Sequence, residues 1–254
     1  MTIPLFASSP EDYHGFEKYT YDFEGHPATV CLPRPGTQKE NAPFMWRTEF
    51  FGAFDWVDAE MLNRGYALVN YQISDLFGCD EAVALMGRFF SHVTESWGLP
   101  QKTLPIGFSR GGMYAVNFAA AFAPYVAALY LDAPVLDIKS WPAGLGEGEG
   151  SPHDTELAYR LFGLDEKTVR TFDKNPIDRV PKLIEARIPV VLVAGEADTL
   201  VPYRENGARL AKLYRAAGVR CTRFLKPECG HHPHSMENPA PICDALEEMM
   251  CDRQ

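Results

Sequence analysis

Ile106-Gly-Phe-Ser-Arg-Gly-Gly112 decides how this chain reads. The stretch holds G-x-S-x-G, with Gly107 and Gly111 on either side of Ser109. An apolar run, Thr103-Leu-Pro-Ile106, precedes it, and a small-residue helical pattern follows over residues 113–122. Strand, sharp turn and helix in succession are the context that makes this motif a nucleophile elbow. The reason is steric. A serine at so tight a turn takes a strained backbone conformation, and a side chain at either flanking glycine would strike the neighbouring strand or helix. The turn also aims the Arg110 backbone N–H and the first turn of the next helix at one point, where a developing oxyanion is stabilised.

A serine hydroxyl needs a base to take its proton, and the base needs an acid to fix its tautomer. Both follow in the order Ser, Asp, His. Gly195-Glu-Ala-Asp-Thr-Leu-Val-Pro202 lies just past an apolar strand, which puts Asp198 at the sheet's carboxyl edge. One helix and one strand later comes Cys229-Gly-His-His-Pro-His234, with His231 as the expected base and His232 and His234 as alternatives. Asp198 also reads as a turn or N-cap aspartate. Glu196 is a weaker candidate acid, and Asp132, at the end of the preceding strand, is the main rival, expected to stand behind the triad. Three histidines beside Cys229 also suggest a metal site. That site would need a ligand from elsewhere, and Pro233 fits no helical H-x-x-x-H pattern, so neither metal nor cofactor is expected.

Outward from these segments, apolar runs alternate with helical patterns. Residues 19–23 and 28–32 read as strands around a turn at 24–27, and residues 33–54 as a long irregular segment ending in an aromatic run, Phe44-Met-Trp-Arg-Thr-Glu-Phe-Phe-Gly52. A loop of that length in a compact domain is usually functional. A helix is expected over 55–64, a strand over 66–70, and a helix carrying Ala82, Met86, Phe89, Phe90, Val93 and Trp97 at helical spacing. Strands at 126–131, 190–194 and 221–225 complete the pattern, with helices after the last two. Such runs predict an α/β domain with a mostly parallel sheet covered by helices on both faces. Residues 138–186 interrupt the alternation after the sixth strand and begin with Trp141-Pro-Ala-Gly-Leu-Gly-Glu-Gly-Glu-Gly150. They read as an insertion arching over the site, its glycines either a hinge or a plain flexible loop. Residues 1–254 are expected to form one domain.

Composition narrows the function. The chain has 254 residues, 46% hydrophobic and 23% charged, with a formal net charge of −10. That balance argues against nucleic acid or an anionic membrane as partner, since phosphate binding needs a basic face. No stretch approaches the length of a membrane span, and the first ten residues lack a signal peptide's basic region. The six cysteines form no C-x-x-C pair, which points to reduced thiols in a cytoplasmic protein.

The stretches GFSRGG, GEADTLVP and GHHPHS resemble the α/β-hydrolase superfamily over nearly the whole chain. More narrowly, WRTEFFGAF, YLDAPVLDIKSWP and GHHPHS resemble an uncharacterised bacterial branch of α/β hydrolases akin to carbohydrate esterases. The resemblance implies the α/β-hydrolase fold and a serine hydrolase that cleaves a carboxylic ester of a small molecule, such as a carbohydrate ester, through an acyl-enzyme. A peptidase or carbon–carbon bond hydrolase would use the same triad, and a non-catalytic binding protein the same fold. One departure matters: many esterases carry an HGG-type oxyanion loop, and here Phe44-Met-Trp-Arg-Thr48 stands in its place. By position, a backbone N–H near Trp46 or Arg47 is expected as the second oxyanion donor beside Arg110. Arg47 also offers a fork for a substrate carboxylate or hydroxyl, and Trp46 and Trp141 offer rings for stacking. The alternative reading makes these aromatics core, with Arg47 paired to Glu49 or Asp75.

Overall fold

The computed structural model describes residues 3–251. Nine strands form one sheet in the order β1-β2-β3-β5-β4-β6-β7-β8-β9. The first three, β1 (Glu11–Tyr13), β2 (Phe16–Phe23) and β3 (His26–Leu32), pair antiparallel, and β3 pairs antiparallel with β5 (Leu68–Tyr71). From β5 onward every pairing is parallel, through β4 (Phe44–Arg47), β6 (Thr103–Phe108), β7 (Leu129–Asp132), β8 (Val190–Gly195) and β9 (Cys221–Lys226).

Of the seven α-helices among the described residues, six cover the sheet. On one face lie α1 (Trp56–Asn63) and α7 (Ala240–Cys251), burying Val57, Met61 and Leu62 and Ile242, Leu246 and Met249 against Met45, Val191 and Val193. On the other lie α2 (Asp80–Ser96), α3 (Gly111–Ala121), α5 (Pro176–Glu185) and α6 (Gly207–Ala217), packed on Trp46, Leu131 and Leu192. Alternate residues of each central strand therefore enter opposite cores. A strand buried on both faces has no polar face to show, so it reads in sequence as a continuous apolar run.

This explains the main correction to the sequence reading. Within the segment read as irregular, Phe44–Arg47 is a central strand, seated between β5 and β6. Four consecutive buried residues after Pro43 carry no alternation to betray a strand. A second difference is small: Val126 makes only an isolated bridge to Thr103, and β7 begins at Leu129. The insertion follows β7, which is the sixth strand when the short Glu11–Tyr13 is set aside.

Residues 138–186 divide into two parts. Helix α4 (Pro152–Phe162) and a 3-10 turn (Thr168–Thr171) pack with Trp141 on a separate cluster that includes Phe77, Met113, Val135 and Val201. Helix α5 instead buries Ile177, Val180 and Leu183 in the main core beside α3 and α6, so it belongs to the sheet's cover. The glycine segment is pinned rather than loose. The Glu149 amide donates to Thr199 O at 2.9 Å, and the Glu147 amide to Glu205 Oε1 at 2.6 Å. Side chains at Gly146 and Gly148 would strike Glu205 and Pro202. Among the described residues no helix is long and apolar enough to cross a membrane.

Candidate active site

Ser109 stands between β6 and α3 with φ of +50°, a region that residues other than glycine seldom enter. Three backbone hydrogen bonds hold it there. Its N–H donates to Asp132 O, and its carbonyl accepts from Gly112 N and Val135 N, each at 2.9 Å. The glycines are needed for close approach. A Cβ on Gly107 would lie 2.8 Å from Gly111 O, and one on Gly112 would lie 2.5 Å from Pro134 Cβ.

The structure brings the three distant segments together. His231 Nε2 lies 3.0 Å from Ser109 Oγ, and His231 Nδ1 lies 2.7 Å from Asp198 Oδ2. Asp198 is buried, and its other oxygen, Oδ1, accepts from the Leu200 and Val201 amides at 2.9 Å each. Asp198 thus spends one carboxylate oxygen on its own turn and presents the other to His231. The loops bearing Asp198 and His231 are locked to one another: Ala197 N donates to Cys229 O at 3.0 Å, and any side chain on Gly195 would collide with the carbonyls of Cys229 and Gly230. Glu196 is exposed, and the carboxylate that meets His231 is that of Asp198.

Asp132 pairs with a different histidine. Its Oδ1 lies 2.9 Å from His234 Nδ1, and its Oδ2 accepts from Ser235 N at 2.5 Å and from Tyr130 OH at 3.3 Å. Since Asp132 O also receives the Ser109 amide, this one residue ties the elbow to the histidine loop. His232 is exposed and its ring stacks on Phe54 at 5.6 Å. Burial, with His234 and His231 adding to it, holds its pKa below the ordinary histidine value.

The three expected substrate contacts are buried. Trp46 is 1% exposed, with its ring 5.0 Å from Phe118 and 5.4 Å from Phe89 inside the core. Arg47 is wholly buried, bound to Asp58 at 2.8 Å and to Ala53 O at 3.3 Å, with its guanidinium over the Phe108 ring. Burial lifts the Asp58 carboxyl above its usual range, against the pull of Arg47. Neither Trp46 nor Arg47 offers an amide to an oxyanion either, because β4 is paired on both sides. Trp141 is also buried, 5.9 Å from Phe77.

The expected ion pairs are exchanged. Glu49 and Asp75 bind Arg110, not Arg47: Arg110 Nε meets Glu49 Oε2 at 2.5 Å, and Arg110 Nη1 meets Asp75 at 3.2 Å. Burial opposes the Arg110 charge, but Glu49 outweighs it and keeps the pKa raised. Ser74 Oγ donates to Glu49 Oε1 at 2.6 Å. Sequence reasoning gave Glu49 no place at the site; a carboxylate inside the aromatic run Trp46 to Phe51 was the available signal. Together Glu49, Arg110, Ser74, Thr48, Asn70 and Gln72 line most of a polar cavity of about 320 Å³ beside the elbow.

Among the described residues, nothing accepts the backbone N–H of Arg110, Glu49 or Phe50. The Glu49 amide lies against the elbow, 3.6 Å from where a Gly111 Cβ would stand.

No protein-family model and no curated protein matches the chain by sequence. Solved structures do match. A puromycin hydrolase superposes with a TM-score of 0.67 at 16% identity, covering 95% of this chain and 38% of its own. An S-formylglutathione hydrolase from Agrobacterium tumefaciens gives 0.64 at 12% identity, over 97% of this chain and 98% of its own. A membrane phospholipase A gives 0.56 at 17% identity, over 94% and 87%. The chain spans little more than a third of the puromycin hydrolase and nearly all of the S-formylglutathione hydrolase. It has the α/β-hydrolase fold.

Proposed function

We propose that the protein is a serine hydrolase that cleaves carboxylic esters of small, hydroxyl-bearing molecules, carbohydrate esters among them. The observation that carries this reading is the unbroken path from Ser109 Oγ through His231 to buried Asp198, at 3.0 and 2.7 Å. His231 Nε2 takes the serine proton as Oγ attacks the acyl carbon. Asp198 holds the Nδ1 proton and stabilises the imidazolium. The tetrahedral oxyanion is met by the unengaged Arg110 amide at the start of α3 and by an amide from residues 49–50, in place of one near Trp46 or Arg47. Collapse expels the alcohol, which takes its proton from His231, and water then repeats the sequence on the acyl-enzyme.

The cavity supports a hydroxyl-bearing alcohol, because its lining sets donors and acceptors from Thr48, Glu49, Asn70, Gln72, Ser74 and Arg110 beside the rings of Phe50 and Phe51. Arg110 is neutralised by Glu49 and Asp75, so the cavity favours an uncharged group over a carboxylate. The segment 138–172, seated beside the Asp198 loop, is read as a fixed lid on a single domain. Six free thiols support a reducing, cytoplasmic setting.

Turnover on acetylated sugars, p-nitrophenyl esters and peptide amides tests the reading. Ester cleavage that Ser109→Ala abolishes is the expected result. Amide cleavage in its absence would move the reading to a peptidase, and tight binding without any turnover to a binding protein.

A further inference from the structure

Three imidazoles stand at the site, and the proposed proton transfer uses one of them. His231, His232 and His234 each offer a ring nitrogen within 4.8 Å of the other two. Their ring centroids lie 4.8, 4.8 and 4.9 Å apart. We propose that this cluster is an inhibitory site for a divalent cation of the zinc class, which takes the three imidazoles as ligands and so withdraws His231 from Ser109. Its inhibitory consequence rests on the serine hydrolase reading; the binding itself rests only on the cluster.

Histidines that ligate a metal usually have their second ring nitrogen held by a carboxylate, which fixes the tautomer and makes the other nitrogen a better donor. Two of these three already have that arrangement. His231 Nδ1 is held by Asp198 at 2.7 Å and His234 Nδ1 by Asp132 at 2.9 Å, and both carboxylates are buried. Nε2 of each ring is then the atom left for a cation, and the two carboxylates supply negative charge behind it. The third ring, His232, is exposed, and among the described residues no hydrogen bond to its nitrogens holds it in place. Zinc takes imidazole nitrogens at about 2.0–2.1 Å in a tetrahedron, which sets them roughly 3.4 Å apart. One ring nitrogen of each histidine lies within 4.8 Å of the others, so the rings must draw together, and His232, exposed and stacked only on Phe54 and its neighbouring imidazoles, is the one that can turn. Water fills the fourth position, as in sites with three protein ligands.

The competition has a simple origin. With its proton on Nδ1, His231 has one lone pair, on Nε2. That pair either accepts the Ser109 hydroxyl proton or binds the cation, never both.

Calorimetric titration of the whole chain with zinc chloride tests the binding without any substrate. One ion should bind per chain, and Ser109→Ala should bind at least as tightly because the competing hydroxyl is gone. His232→Gln should leave metal-free activity intact and weaken binding by at least about tenfold, the loss that even outer ligand-shell changes produce. His234→Gln should also weaken binding, with some loss of metal-free activity because it breaks the contact with Asp132; should it fail to fold, His232→Gln decides alone. In the wild type, zinc should slow fluorophosphonate labelling of Ser109, and EDTA should restore it. No one-to-one binding, or equal affinity in wild type and His232→Gln, overturns the site. Stoichiometric binding that leaves the labelling rate unchanged overturns the inhibition. Binding in a protein that neither labels nor hydrolyses anything keeps the site, overturns its inhibitory role and refutes the hydrolase reading.

Discussion

Asp132 is the residue that ties the Ser109 elbow to the histidine loop. Its carbonyl fixes the Ser109 amide, and its carboxylate takes hydrogen bonds from His234, Ser235 and Tyr130. All three partners of the carboxylate are donors, so an amide put there must face one of them with its own N–H. Asp132→Asn is therefore expected to cost about 1–3 kcal/mol. We expect it to appear as a fall in kcat of roughly ten- to a hundredfold with little change in KM, measured by steady-state kinetics. At this scale the sequence was informative where chemistry forces residue type and order. The meeting of Ser109, Asp198 and His231 was legible from three short stretches because an elbow, an acid after a strand and a histidine after a glycine are each chemically constrained. Arg47 and Arg110 could not be told apart. One follows an aromatic run and the other follows Ser109, and only the register of β4 sends Arg47 inward to Asp58 while leaving Arg110 to Glu49.

Strand β4 and helix α1 are coupled through that Arg47–Asp58 pair, both side chains fully buried. Arg47 also holds Ala53 O, and so anchors the loop that carries Phe54 onto His232. Removing one member of a buried pair leaves an uncompensated charge. Asp58→Ala is expected to destabilise by about 3–5 kcal/mol, and the apolar double variant Arg47→Met with Asp58→Leu to recover most of that. Denaturant unfolding of the single and double variants checks both. A double variant no more stable than Asp58→Ala would show that the pair's charge is not the issue. The elements that were hard to read are those whose identity is tertiary. A four-residue central strand shows no period, and α5 looked like part of an insertion until its Ile177, Val180 and Leu183 face met α3 and α6.

At the scale of the molecule, alternating apolar runs and helices were enough to specify a mostly parallel sheet with both faces covered. They did not give the strand order, because placing β4 between β5 and β6 is a choice among packings that no local stretch encodes. The thiols report on the whole packing. Cys31, Cys79 and Cys243 are buried, Cys251 is exposed, and none is in a disulfide. Burial pushes the thiols of Cys221 and Cys243 up to about 11 and about 12, leaving both protonated and poorly nucleophilic near pH 8. A thiol-reactive dye at that pH should modify Cys251 quickly and Cys31, Cys79 and Cys243 only on unfolding, while reductant leaves the melting temperature unchanged. Rapid native reaction of Cys31 or Cys243 would mean that the sheet's helical cover is looser than described.

Everything functional depends on Ser109 being a hydroxyl made nucleophilic by His231. A fluorophosphonate probe, with the adduct located by mass spectrometry, reads that directly. The expected result is one adduct per chain, on Ser109, absent from Ser109→Ala and at least about a thousandfold slower in His231→Gln. A folded wild-type protein that carries no adduct at Ser109, or that labels equally fast without His231, contradicts the account.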